Sequence, residues 1–316
     1  MLNNLNLSGR VVMVLATCAF ALCLLSPSVA MSQHGRAART RHNAQQSQQP
    51  APPPKKKKLP PGVRGFDQFA NRDASDKLIA GGATRNEPKD AAEAEANASL
   101  EHGMDFYKSA RYAEAAAAFS RAAELEPAWF RAQYRLAMAH EAQGKYREAA
   151  LAYTKAVALA PDAAIDEPQD FFYAQYNLAN SLALSNQHEM AVATYLKLID
   201  TLPAPIPTPH YNLGLSYVAL GKQQAAADAF KKAIEIKPDY AEAHYNLGLL
   251  DSRAEQYAQA IDEFKQSLKA KPDYAEARYS LGLAYYLTDN RAGLAEQQKA
   301  LQEMKSKLAT DLAKLR

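Results

Sequence analysis

Cysteine is almost absent from the 316-residue chain, and this scarcity excludes several kinds of site. The two cysteines, Cys18 and Cys23, lie in an apolar N-terminal run, and no thiol follows them. Disulfide bonds, cysteine zinc sites, iron–sulfur clusters and a cysteine nucleophile are therefore excluded for the rest of the chain. The sequence also lacks G-x-S-x-G, a phosphate-binding glycine loop, a dinucleotide fingerprint and H-E-x-x-H. We predict that the protein is not an enzyme and uses no cofactor or metal.

Long apolar runs are missing too, apart from one near the N-terminus. Val11–Leu25 is uncharged and mostly apolar, but its 15 residues fall short of the ~20 that span a bilayer as a helix. Arg10 precedes this run, and Pro27 with small residues up to Ala30 follows it. We therefore predict that residues 1–30 are a secretory signal peptide cleaved after Ala30, which would place the mature protein in the periplasm or outside the cell.

Two alternatives to cleavage remain open. An uncleaved anchor would have more positive charge after the run than before it, which would place the rest of the chain in the cytoplasm. Acylation at Cys18 is the other alternative, because the residues before it loosely resemble a bacterial lipobox. Thr17 departs from the small residue expected directly before the cysteine.

Acidic residues are missing from residues 31–64, which contain eight lysines and arginines. Since the whole chain has a net charge of +3 and Arg10 adds one positive charge, residues 65–316 carry −6. Residues 31–95 contain too few apolar side chains to offset the entropy lost when a chain becomes ordered. We predict a disordered, basic, Pro/Gln-rich linker over residues 31–95.

The linker contains four consecutive lysines, Lys55, Lys56, Lys57 and Lys58. They predict contact with a membrane or an anionic polymer, and the alternative is a solvated, self-repelling spacer. No aromatic residue lies between Met31 and Phe66, so the stacking platform of a single-strand nucleic-acid binder is missing and we do not expect nucleic acid as a partner.

The rest of the chain repeats with a period of about 34 residues. Ala241–Leu249 and Ala275–Leu283 are identical at seven of nine positions, and Lys-Pro-Asp-Tyr precedes both. Prolines and alanines recur in the same register, and so do five aromatic residues: Phe119, Tyr153, Tyr195, Phe230 and Phe264. Each unit has two helical stretches, and proline ends the second because it cannot donate the helical hydrogen bond. Such units bury their faces only by stacking on one another.

These positions resemble the tetratricopeptide repeat, which has a small-residue pair, an alanine and an aromatic in its second helix, and a terminal proline. The resemblance implies an all-α, right-handed superhelical solenoid of helix-turn-helix repeats. We place the repeat domain at residues 96–308, after the disordered tether. Its units are 96–129, 130–163, 172–206, 207–240 and 241–274, with a degenerate sixth at 275–308, and residues 164–171 are an insertion between the second and third.

The C-terminal end is predicted as one helix over residues 291–316 that overlaps the last unit. Leucines recur there every seven residues, at Leu294, Leu301, Leu308 and Leu315. The pattern predicts a helix that caps the open end of the stack. A homodimer through this helix, as a coiled coil, is the alternative.

In the family, the first helix of each hairpin lines a concave groove, which implies a candidate peptide-binding site here. A run of asparagines is similar to the asparagine ladders that hold an extended peptide in some of these repeats, and carboxamides both donate to and accept from a peptide backbone. The tyrosines would add contact area at small rotamer cost. The site comprises Tyr134, Tyr176, Asn177, Asn180, Tyr211, Asn212, Leu215, Tyr245, Asn246, Leu249 and Tyr279.

These features together predict an exported or membrane-tethered adaptor that binds a protein or an extended peptide in its groove. One alternative is a membrane-anchored adaptor that faces the cytoplasm. Another is a surface-polymer or nucleic-acid binder that acts through the basic linker.

Overall fold

The computed structural model of the protein describes residues 90–159, 168–202 and 204–315. Within these ranges the chain forms thirteen α-helices and no β-strand. The helices are α1 (Ala91–Lys108), α2 (Tyr112–Leu125), α3 (Phe130–Ala142), α4 (Tyr146–Ala158), α5 (Pro168–Leu184), α6 (His188–Thr201), α7 (Pro207–Ala219), α8 (Gln223–Ile236), α9 (Ala241–Arg253), α10 (Tyr257–Ala270), α11 (Ala275–Leu287), α12 (Arg291–Glu303) and α13 (Leu308–Leu312).

The first twelve helices pair into six consecutive hairpins, α1/α2 through α11/α12. The second helix of each hairpin also packs on the first helix of the next, so every hairpin contacts its neighbours in the chain. One hairpin cannot bury both of its faces, and stacking provides the missing contacts. The predicted all-α solenoid of helical hairpins is confirmed.

The first helix of every hairpin ends in the same turn. The residue after its last turn has a positive φ of 53 to 73°, at Ala110, Gly144, Asn186, Gly221, Glu255 and Asp289. The following residue donates its N–H to the carbonyl five positions earlier, as Lys145 does to His140 at 2.9 Å. This is a Schellman closure, which satisfies carbonyls at the helix end and reverses the chain. It fixes where each second helix begins.

Glycines on first helices allow aromatic rings of second helices to pack against the backbone. A Cβ added to Gly103 or Gly214 would lie 2.5 Å from the ring of Phe119 or Phe230, respectively. Alanines replace these glycines in the second and third hairpins, and there the corresponding aromatics are Tyr153 and Tyr195 rather than phenylalanine. The rings are almost fully buried, so they join the two helices of each hairpin into one core.

The C-terminal segment is not the single helix predicted for residues 291–316. α12 ends at Glu303, and Lys305 has a φ of 52°, which starts the short helix α13 in a new direction. Ser306 N–H donates to the carbonyl of Leu301 at 3.0 Å, the same closure that ends the first helices. Lys305 is neither glycine nor proline, so no helix-breaking residue marks this break in the sequence.

The heptad leucines of this segment pack within the chain. Leu294 and Leu301 are buried, and Leu308 and Leu315 pack against the same cluster, beside Leu281 of α11. The segment after α12 thus places Leu308 and Leu315 against the core of the last hairpin.

Two helix boundaries differ from the sequence assignment. α1 begins at Ala91, five residues inside the predicted linker, because the Asp90 carboxylate accepts a hydrogen bond from Glu93 N–H at 2.9 Å and caps the helix. α5 begins at Pro168, inside the predicted insertion 164–171, and proline suits a first helical turn. The predicted signal peptide and the linker up to residue 89 lie outside the described residues. Among the helices of the described ranges, we find none with the length and hydrophobicity of a transmembrane segment.

Candidate functional site

The first helices of successive hairpins lie side by side along one face of the stack. α5 contacts α7 and α9 contacts α11, although a second helix lies between them in sequence. In these two pairs, first helices of neighbouring hairpins therefore meet directly on one face of the stack.

Three asparagines cross this face in a row, one on each of α5, α7 and α9. Asn212 Nδ2 donates to the hydroxyl of Tyr176 at 2.9 Å, and Asn246 Nδ2 donates to the hydroxyl of Tyr211 at 3.2 Å. Asn177 Nδ2 donates to the hydroxyl of Tyr153 at 3.3 Å. We call Asn177, Asn212 and Asn246 the asparagine row. Each side chain is half-buried and bonded to a tyrosine of the preceding hairpin.

Asn180 lies beside the row, one helical turn after Asn177. Its Oδ1 accepts hydrogen bonds from Asn212 Nδ2 at 2.9 Å and from the hydroxyl of Tyr195 at 2.5 Å. The hydroxyl of Tyr153 donates to Glu141 Oε2 at 2.8 Å. These polar contacts thus join the second hairpin to the third and the third to the fourth.

The structure divides the five predicted groove tyrosines into two groups. Tyr134 and Tyr245 are 4% and 1% exposed, so their side chains belong to the core and cannot supply ligand contact area. Tyr134 stacks on Phe130 with ring centroids 5.8 Å apart, and Tyr245 lies 5.0 Å from Tyr274. Tyr176, Tyr211 and Tyr279 are half-buried and remain candidates for the groove.

Apolar side chains lie on the same set of first helices as the asparagine row. Leu215 and Leu249 are half-buried and pack against core clusters that each include residues of two neighbouring hairpins. Leu184 and Leu287, at the C-terminal ends of α5 and α11, are 46% and 55% exposed. These two leucines were not among the predicted groove residues, although both occupy the same repeat position, which is the signal that could have identified them.

The second hairpin has Arg135 at the position of the asparagine row. Arg135 is 5% exposed, and Asp170 at the start of α5 is 8% exposed. Burial raises the pKa of the Asp170 carboxyl, although the positive charges of Arg135 and Arg131 act in the other direction. Burial and the charge of Asp170 also raise the pKa of Tyr173 to about 12. The row therefore ends at a buried charged cluster.

His244 on α9 is a buried histidine with partners on both ring nitrogens. It is 7% exposed, with Nδ1 2.6 Å from Glu263 Oε2 and Nε2 3.0 Å from the carbonyl of Pro238. Burial alone would lower its pKa, but the hydrogen bonds to Glu263 and Pro238 raise it above its ordinary value. The histidine joins α9 to α10 and to the preceding loop. In the described ranges, no group of three His, Cys, Asp or Glu residues is placed to hold a metal ion.

Three family models match the repeats in the sequence. Models described as tetratricopeptide repeat match residues 100–164 and 173–204, and a model described as TPR repeat matches 214–250 and 254–289. The chain belongs to the tetratricopeptide repeat family. Its repeat domain is accordingly a scaffold for binding other proteins.

Solved structures share the architecture. PilW, described as a widely conserved type IV pilus biogenesis factor, aligns with a TM-score of 0.54 and 18% identity over 69% of this chain and 98% of that chain. PilF of Pseudomonas aeruginosa aligns with a TM-score of 0.53 and 16% identity over 72% and 100%. MamA of Desulfovibrio magneticus RS-1 gives 0.51 and 20% over 57% and 97%. These identities show a shared fold alone. Among curated proteins, none matches the sequence.

Proposed function

We propose that this tetratricopeptide repeat protein is an adaptor that holds an extended peptide segment along its first helices. The observation that carries the proposal is the asparagine row, which places one carboxamide per hairpin on α5, α7 and α9. An extended chain has backbone polar groups that need partners at regular intervals. A row of carboxamides with half-buried tyrosines beside it meets that need over three hairpins.

The exposed leucines add an apolar component to the same face. Leu184 ends α5, where the row begins, and Leu287 ends α11, the first helix after the row; about half of each side chain is exposed. A segment lying along the row would contact carboxamides with its backbone and leucines with its side chains. Backbone contacts supply affinity with little sequence preference, and side-chain contacts supply specificity.

A selected peptide tests the proposal. A linear dodecapeptide is selected on the full chain from a random display library, and its affinity is measured by fluorescence anisotropy. The triple change Asn177→Ala, Asn212→Ala and Asn246→Ala should weaken binding at least 10-fold, because it removes contacts of about 0.5–1.5 kcal/mol each.

The matched control removes three carboxamides from second helices instead. Gln223→Ala, Gln259→Ala and Gln266→Ala change exposed side chains of α8 and α10 and should leave the affinity unchanged. If no peptide binds, or if both triple variants bind like the wild type, the groove proposal is wrong.

We further propose that the adaptor is exported, with cleavage after Ala30. The proposal rests on the short apolar run, Arg10 before it and Pro27 after it. Mass spectrometry of the protein from its native host should find Met31 as the first residue. An intact Met1 would instead support the anchored, cytoplasm-facing alternative.

The basic linker has a separate role in this proposal, as a spacer rather than the binding element. Deletion of Lys55–Lys58 should therefore leave peptide affinity unchanged. If the protein instead binds a partner in a salt-dependent way and the deletion abolishes that binding, the result would favour the polymer-binding alternative.

A further inference from the structure

Two aromatic residues of second helices bear hydroxyl groups that their counterparts lack. Tyr153 and Tyr195 occupy the repeat position of Phe119, Phe230 and Phe264. All five rings are at most 1% exposed. Phenylalanine fills this space in the other hairpins, and a buried hydroxyl costs free energy unless it is hydrogen-bonded. Packing alone therefore does not explain why the second and third hairpins have tyrosine here.

The hydroxyl of Tyr153 fixes the orientation of Asn177. It donates to Glu141 Oε2 at 2.8 Å, and an ionised carboxylate can only accept. Its proton is thus committed to Glu141, and its oxygen can only accept from Asn177. The side chain of Asn177 must then point its Nδ2 towards Tyr153, at 3.3 Å, and this leaves Oδ1 facing away from the tyrosine.

The hydroxyl of Tyr195 fixes Asn212 through Asn180. Tyr195 donates to Asn180 Oδ1, and the same oxygen accepts from Asn212 Nδ2 at 2.9 Å. The second proton of Asn212 Nδ2 goes to the hydroxyl of Tyr176 at 2.9 Å. Both donors of Asn212 are therefore engaged within the protein.

Asn246 has the same orientation for a different reason. Its Nδ2 donates to the carbonyl of Glu242 at 2.8 Å, and a carbonyl can only accept. It also donates to the hydroxyl of Tyr211 at 3.2 Å. In the described ranges Oδ1 of Asn177, Asn212 and Asn246 accepts no hydrogen bond, and none of the three oxygens is a buried unpaired atom.

We infer that Tyr153 and Tyr195 are positioning residues that orient the asparagine row so that it presents carboxamide oxygens, and that the partner is an extended chain that offers backbone N–H groups to them. This inference rests on the proposed groove function. Asn180, beside the row, differs because its oxygen is engaged, so its Nδ2 would donate to a partner carbonyl. Three acceptors and one donor suit a peptide backbone, which has both, and do not suit a carboxylate or phosphate, which only accepts.

Removal of single hydroxyls tests the positioning role. Tyr153→Phe and Tyr195→Phe should each weaken binding of the selected dodecapeptide about 3- to 10-fold, because the asparagines lose the contact that orients them. Tyr257→Phe, a half-buried tyrosine of α10 outside these contacts, is the control and should bind like the wild type. Thermal unfolding of each variant shows whether the fold is retained.

Backbone N-methylation of the peptide distinguishes orientation from a purely structural effect. Methylation of one N–H at a time should reduce wild-type affinity at least 10-fold at two or more positions. In Tyr153→Phe the penalty at one of these positions should shrink, since a rotated Asn177 no longer requires a donor there. A structural role for the hydroxyl would lower all affinities equally and keep the penalties.

The outcomes separate the two proposals. If the alanine triple variant loses the peptide but both phenylalanine variants bind normally with unchanged methylation penalties, the positioning inference is wrong and the groove stands. If the selected peptide is insensitive to the alanine triple variant, the groove function itself fails.

Discussion

Leu312 of α13 lies against Gly282 of α11, where a Cβ added to the glycine would come within 2.6 Å of Leu312 Cδ2. In the first, fourth and fifth hairpins this contact is made by a phenylalanine of the second helix. The sixth hairpin has Gln298 at that position instead, and its Nε2 donates to the carbonyl of Leu312 at 3.0 Å. The capping helix thus replaces the missing ring.

Leu312→Ala should destabilise the repeat domain by about 2–5 kcal/mol, because it empties a fully buried site that no neighbour can fill. The measurement is chemical denaturation followed by circular dichroism. Leu151→Ala removes a leucine that is 68% exposed and should change stability by less than about 0.5 kcal/mol. Equal effects of the two changes would show that α13 does not stabilise the stack.

The hairpin register follows from the sequence because small and aromatic residues recur at fixed spacing. The break between α12 and α13 does not, since Lys305 is an ordinary residue in a glycine-type conformation. Repeat position also failed to separate Tyr134 from Tyr176, which occupy equivalent places but differ in burial. Burial depends on neighbouring hairpins, and so does the orientation of the asparagine amides, whose tyrosine partners lie 24 to 36 residues away in sequence.

Gly248→Ala should destabilise the protein by about 1–3 kcal/mol. The added methyl would lie 2.8 Å from the ring of Phe264, which is fully buried and would have to shift. Gly248→Ala combined with Phe264→Leu relieves the overlap, so the double variant should be more stable than the sum of the two single effects predicts. Strict additivity in denaturation experiments would contradict the close approach.

Glu255→Gly should stabilise the protein by about 0.5 kcal/mol. Glu255 is exposed and has a φ of 60°, which costs about 1–2 kcal/mol for a residue with a Cβ, while glycine loses about 0.4–1 kcal/mol through its unfolded-state entropy. The converse change, Gly221→Ala at a φ of 71°, should destabilise the protein. Thermal melting curves of the two variants show whether each change raises or lowers the melting temperature. A lower melting temperature for Glu255→Gly than for the wild type would contradict the prediction.

His244 should make the stability of the protein depend on pH. Burial alone would lower the pKa of His244, but the hydrogen bonds to Glu263 and Pro238 raise it above the ordinary value of 6.5 in the folded state. A raised pKa means that the folded state binds the proton more tightly than the unfolded state. The contribution is therefore complete below about pH 6.5 and is lost as the pH rises through the folded-state pKa.

The measurement is the difference in unfolding free energy between the wild type and His244→Gln at pH 5.5 and pH 8.5. The comparison removes the effect of His140 and His210, whose pKa values burial lowers and whose contributions have the opposite sign. The difference should be larger at the acidic pH. Glu263→Gln retains the shape of the side chain without its charge. When His244→Gln is measured in this background, the difference in unfolding free energy should change less between the two pH values. A difference that is equal at both pH values would show that the two acceptors do not hold His244 in its charged form.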